Sequence, residues 1–154
     1  MTDAPAPTSP ADVLAATPLQ IVLDCADPHA QADFWAGVLG YEVEQNEGFI
    51  QQMLDAGHAT DADVTRYHGT LVWKDAAAMR DPAHGRPRWY LQRVPEPKTV
   101  KNRMHVDLHV GPDNVAGVVE HLLGQGATKL YDGHQGPQSW VTMADPEGNE
   151  LCIS

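Results

Sequence analysis

Two short runs, "LQIVLDCA" (19–26) and "HVDLHV" (105–110), alternate apolar and polar positions with a period of two. That is the spacing of strands, whose successive side chains point to opposite faces. In the first, Ile21, Leu23 and Cys25 share one face and Gln20, Val22 and Asp24 the other. In the second, Val106, Leu108 and Val110 oppose His105, Asp107 and His109. After each run the period lengthens to that of a helix. "DPHAQADFWAGVLG" turns Phe34, Trp35, Val38 and Leu39 inward, with Asp27 as N-cap, Pro28 at the first helical position and Gly40 as the stop. "GPDNVAGVVEHLLGQG" repeats the pattern with Val115, Val118, Val119, Leu122 and Leu123, and Gly124 and Gly126 can end it.

Strand-like runs follow each helix. They are "YEVEQ", "GTLVWKD" and "RWYLQRV" in the first half and "ATKLYD", "SWVTMAD" and "ELCIS" in the second, the last two joined by the turn "DPEGN". The first half is interrupted by "NEGFIQQMLDAG", whose Phe49, Ile50, Met53 and Leu54 predict an inserted helix ending at Gly57. Each half reads β-α-β-β-β, and "PEPKTVKNR" links them. Superposing the opening strands sets Gln20 on His105, Val22 on Asp107 and Asp24 on His109. A repeated unit that cannot close its own core predicts two units packed together. Residues 1–17, rich in Ala, Pro, Ser and Thr, read as a flexible lead-in, so structure is expected to begin near Leu19.

At 154 residues the chain suits one well-packed domain. A formal charge of −11, from 10 Lys and Arg against 21 Asp and Glu, argues against nucleic acid and anionic membranes as partners. The start of the sequence lacks the pattern of a secretory signal, and no run approaches the ~18 apolar residues of a membrane span, which predicts a cytoplasmic protein. Cys25 and Cys152 form no disulfide framework and read as free thiols.

The duplication, "LDCADPHAQADFWAGVLGYEV", "KNRMHVDL" and the closing "SWVTMADPEGNELC" together resemble the glyoxalase-like branch of the vicinal oxygen chelate superfamily, which includes glyoxalases, bleomycin-resistance proteins and extradiol dioxygenases. The resemblance covers roughly residues 18–154. It implies an α+β fold in which two βαβββ modules, 18–97 and 98–154, pair into an incomplete barrel around a shared cleft. It also implies a homodimer. The superfamily hosts several chemistries, so function has to be argued from the site.

Metal-using members of the superfamily take a His from the first strand and a Glu from the last strand of each half. Carried onto this chain, those positions are Gln20, Gln92, His105 and Cys152. Only His105 keeps the common residue. Two amides, one imidazole and one thiol supply few hard oxygen donors and little negative charge, so a tightly held divalent metal is disfavoured. His105 and His109 lie about 14 Å apart along a strand, so they cannot share one ion. Asp107 and His109 instead read as the solvated wall of a cavity. Tyr90 shares a face with Gln92, and Trp140 lies near the closing hairpin, so both are candidates for an aromatic wall. Lys101 and Arg103 either attract an anionic ligand or tie the linker down.

The expectation is therefore a small organic molecule bound between the modules without a tightly bound catalytic metal. The cleft residues are Gln20, Asp24, Tyr90, Gln92, His105, Asp107, His109, Trp140, Glu150 and Cys152. The alternative is a metal-dependent lyase or dioxygenase of the glyoxalase type using His105. A third reading, metal-free acid–base chemistry by Asp24, Asp107, His109 or Glu150, ranks below both.

Overall fold

The computed structural model describes residues 9–154. In chain order the elements are α1 (Pro10–Ala16), β1 (Gln20–Cys25), α2 (Pro28–Leu39), β2 (Glu42–Val43), α3 (Glu47–Asp55), β3 (Val64–Tyr67), β4 (Thr70–Trp73), β5 (Ala76–Arg80) and β6 (Arg88–Arg93). The second half holds β7 (Val106–Leu108), α4 (Val115–Gly124), β8 (Thr128–Gln135), β9 (Gln138–Ala144) and β10 (Glu150–Ile153). Of the lead-in expected over residues 1–17, the described part begins at Ser9. Ser9 caps the Asp12 backbone N–H and Pro10 starts a short exposed helix; positions 1–8 lie outside the described residues. Among the described residues no helix is long and apolar enough to cross a membrane.

Two four-stranded sheets carry the duplication. Their orders, β1-β6-β5-β2 and β7-β10-β9-β8, are the same permutation of first, last, third and second strand. In each, the first strand pairs parallel with the last. One strand was misread from the sequence. "GTLVWKD" is not the third strand of module one: its β4 portion pairs only with β3, in a separate hairpin. The third strand is β5, "AAAMR", which alanine's poor strand propensity concealed. The insertion thus runs through α3, β3 and β4, past the end near residue 66 that the sequence suggested.

Local chemistry explains the helix ends and turns. The Asp27 carboxylate accepts from the backbone N–H of His29 and Ala30, and Gly40 closes α2 in the left-handed region at φ 66°. The β3–β4 hairpin turns through His68 and Gly69, with φ of 49° and 84°, the two positive values that a tight hairpin turn of the I′ type needs.

The two modules share one apolar cluster. Trp35, Trp89 and Leu91 from module one meet Leu122, Met143, Leu151 and Ile153 from module two, all buried. Each such large side chain contributes on the order of 1.5–3 kcal/mol by leaving water. A polar clasp sets the modules' relative position. The buried Asp145 carboxylate accepts from Trp35 Nε1 at 2.9 Å, from the backbone N–H of Glu147 and Asn149, and from Asn149 Nδ2. Glu147, in the same "DPEGN" turn, accepts from the backbone N–H of Ala26 and Asp27 at the start of α2. The closing turn of one module therefore holds the first helix of the other.

Candidate functional site

The polar faces of β1 and β7 are exposed, as the alternation predicts. The register then fixes which side chains are equivalent in the two modules. Val22 pairs with Tyr90 and Asp107 with Cys152; Asp24 pairs with Gln92. With Val22 superposed on Asp107, the counterpart of Cys152 is Tyr90. Gln92 lies two residues further on, at the level of Ser154.

In module one this face is occupied by an ion-pair network. Arg88 donates from Nε and Nη2 to both carboxylate oxygens of Glu44 at 2.7 and 2.8 Å, and from Nη1 to the Gln20 side-chain oxygen at 2.6 Å. Its guanidinium also lies 5.8 Å from the centre of the Tyr90 ring. The Arg88 hydrogen bonds hold the Glu44 carboxyl below its ordinary range, against an opposing effect of burial. Gln20 is thus committed to an arginine. Gln92 and Asp24 are exposed at the far end of the strands, where the Gln92 backbone oxygen accepts from the Cys25 thiol. Cys25 itself is buried, and burial, with Glu147 and Asp27 adding to it, pushes its thiol up to about 12. A thiol so protonated is inert.

Between this sheet and the insertion lies a cavity of about 380 Å³. Ala76, Ala78 and Tyr90 form part of its floor, and the short alanine side chains leave the space open. Phe49 and Ile50 of α3 and Tyr67, Val72 and Trp73 of the hairpin face it from the other side. Side chains of α2 pin the insertion. Tyr67 Oη donates to Asp33 at 2.8 Å, and His29 Nε2 bonds the Trp73 carbonyl at 2.8 Å while its ring stacks on Tyr67. Burial first, then Asp33, raises the Tyr67 hydroxyl to about 12, so it stays a donor. Every lining residue belongs to module one or its insertion. Of the sequence-predicted cleft residues, only Tyr90 lines this cavity.

His29, Asp33, Tyr67, His68 and Trp73 line the cavity without any sequence motif that marks them. Their sole signal was the insertion itself, since a segment breaking a regular β-α-β-β-β unit has to lie over something.

In module two, three predicted residues converge. His105 Nε2 stands 3.1 Å from Asp107 Oδ1, and one donor atom each from His105, Asp107 and Cys152 all lie within 4.8 Å of one another. His105 and Asp107 are 39% and 49% exposed, so the cluster is open to solvent ligands. The Cys152 sulfur contacts Thr142 Oγ1 at 3.6 Å. Burial, reinforced by Asp107, holds its thiol above its ordinary value despite the Thr142 hydrogen bond. Without a cation beside it, such a thiol is a poor nucleophile.

The remaining predicted residues have structural partners. His109 Nδ1 bonds Ser154 Oγ at 2.8 Å. Glu150, nearly buried, accepts from the Asn102 backbone N–H and pairs with Lys98, which ties the inter-module linker to β10. Burial would raise the Glu150 carboxyl, but Asn102 and the neighbouring lysines outweigh it and the group lies below its ordinary range. Trp140 lays its ring over Gly133 on the same side of the sheet as Thr142.

The fold implies a divalent metal, and donor spacing decides whether these side chains fit one. A tetrahedral zinc with bonds of about 2.0–2.3 Å needs donors roughly 3.4–3.6 Å apart. The three side chains approach that spacing, and Asp107 restores the carboxylate lacking at position 152. The fit is therefore to a three-residue site with an open position, built by module two alone.

A family model described as a glyoxalase-like domain matches residues 20–154. Among curated proteins, none matches the sequence. Solved structures do. A glyoxalase/bleomycin resistance protein/dioxygenase family enzyme from Burkholderia phytofirmans PsJN is 14% identical with a TM-score of 0.56, over 87% of this chain and 94% of that one. A glyoxalase/dioxygenase from Nostoc punctiforme is 15% identical with a TM-score of 0.56, over 98% and 97%. The fosfomycin resistance protein FosX from Mesorhizobium loti is 9% identical with a TM-score of 0.55, over 90% of both chains. At these identities the likeness is one of fold.

Proposed function

From the premise that the chain belongs to the glyoxalase-like domain family, we propose that it binds a small organic molecule, in the cytoplasm and as a homodimer, with the binding site in module one. The carrying observation is the cavity of about 380 Å³ between the alanine-floored sheet and the insertion. Its size falls in the range of small-ligand pockets, about 300–1,000 Å³, and its lining has the usual mixture of apolar walls and a few fixed polar groups. Phe49, Ile50 and Tyr90 offer apolar and aromatic surface, while Asp33 and Glu44 present carboxylates already held by Tyr67 and Arg88. The test is a ligand screen by thermal shift, followed by titration of hits against Ala76→Leu. Leucine at this floor position should abolish the ligand-dependent rise in Tm while leaving the unliganded protein folded. Hits that bind the variant unchanged would exclude the cavity.

A second reading, a metal-dependent lyase or dioxygenase of the glyoxalase type, is favoured by the convergence of His105 with Asp107 and Cys152. A metal ion held there would act as a Lewis acid toward a substrate oxygen. The chain's own part would be to orient that ion through three side chains of one sheet and leave a side open to solvent. Turnover of hemithioacetal or catechol substrates after loading with divalent ions, lost in His105→Ala, would support this reading; absence of turnover with every ion would remove it.

A further inference from the structure

The module-two cluster goes beyond the family's ligand positions in one respect. Asp107 is not one of them, yet its carboxylate stands 3.1 Å from the His105 imidazole. We propose that His105, Asp107 and Cys152 form a self-contained metal site selective for thiophilic divalent ions of the zinc class over magnesium and manganese, with no ligand from module one. The inference deepens the metal-dependent reading and rests on it for the presence of an ion, not for turnover.

Three observations carry it. First, two of the donors, Asp107 and Cys152, are direct cross-strand partners on β7 and β10, and His105 immediately precedes β7, two residues before Asp107. The parallel β7–β10 ladder thus holds the Asp107 and Cys152 Cα positions whether or not an ion binds. Second, the module-one position equivalent to His105 is closed to metal. The Gln20 side-chain oxygen accepts from Arg88, which Glu44 holds in place, so it is not free to ligate an ion. A site bridging the modules is disfavoured on that ground, and a site within module two is not. Third, the donors are one nitrogen, one oxygen and one sulfur. Magnesium and manganese favour sets of oxygen ligands, whereas an imidazole with a thiolate suits zinc, and two anionic donors neutralise a divalent charge. The arrangement leaves one tetrahedral position for water or a ligand oxygen, as in zinc sites with three protein ligands.

The experiment uses the full chain, freed of metal and titrated with Co(II) as a spectroscopic substitute for zinc. The expected result is one equivalent bound, with an intense near-ultraviolet thiolate-to-cobalt band and the visible bands of a four-coordinate ion. Zn(II) should displace it and excess Mn(II) should not. Cys152→Ser should abolish the near-ultraviolet band, and Asp107→Asn and His105→Ala should each weaken zinc binding roughly a hundredfold or more. Loss of a group that merely orients a ligand already costs about 10–100-fold. Circular dichroism and Tm of each variant show that it remains folded, and Gln20→Ala should leave affinity unchanged.

Binding without the thiolate band, equal competition by Mn(II), or full affinity in Asp107→Asn would overturn this donor set while leaving metal-dependent chemistry open. No binding of Co(II) or Zn(II) by folded protein would overturn both.

Discussion

Module one and module two place different chemistry on the same scaffold. Where module one sets Gln20, Arg88 and Tyr90 on the exposed face of its parallel strand pair, module two sets His105, Glu150 and Cys152 at the matching register. In the first, an arginine binds a glutamate and an amide, and an inserted helix and hairpin cover the sheet to leave a cavity. In the second nothing is inserted, Glu150 turns to the linker, and His105, Asp107 and Cys152 are left together in the open. Duplication conserves the strand order because the apolar faces need it. The solvent-facing positions carry no such constraint, so one copy became a pocket and the other a donor cluster.

Four changes would break or sharpen that contrast. The largest effect is expected at the joint. Asp145→Ala leaves Trp35 Nε1, two backbone N–H groups and the Asn149 amide without their buried acceptor. It should cost about 3–5 kcal/mol in denaturant unfolding. If the modules are coupled through this carboxylate, probes in both should lose stability together; a loss confined to one would refute the clasp.

Next is Gly133→Ala in module two. A Cβ built at Gly133 falls inside the Trp140 ring, so the indole has to leave its place. A loss of about 1–3 kcal/mol and a changed tryptophan emission are expected, with the ligand response of the module-one cavity preserved.

Glu44→Gln probes the module-one network. The Glu44 carboxyl is held below its ordinary value in the folded protein, so its stabilisation is complete above the unfolded-state value and is lost as pH falls through the folded one. The variant should be less stable by about 1–2 kcal/mol at neutral pH, discounted for the partial exposure of Arg88. The gap should close in acid, below the usual carboxylate range. A gap independent of pH would mean that packing, not charge, sets the effect.

The smallest change is a gain. Both side-chain polar atoms of Gln31 are buried in α2 and have no hydrogen-bond partner among the described residues. Gln31→Met should raise stability by about 1 kcal/mol in a denaturant titration; a loss instead would show that the amide has a partner in solution.

Periodicity alone determined much of this molecule. Apolar residues at spacing two and then at spacing 3.6, twice over, specified both β1–α2 and β7–α4, because only those spacings bury one face and wet the other. Asp27, Pro28 and Gly40 marked the ends of α2 by their own backbone chemistry. What the sequence left undecided depended on contacts between distant segments. The alanines of β5 form a strand through pairing with β6 and β2, not through propensity. The hairpin of the insertion is tied to α2, 34 residues away in sequence, through Tyr67 and Asp33. The sequence put His105, Asp107 and Cys152 on one cleft, with His105 and Cys152 at the family's ligand positions, but set Asp107 apart as a cavity wall. The parallel register of β7 and β10, formed across 45 residues of chain between Asp107 and Cys152, is what makes them neighbours.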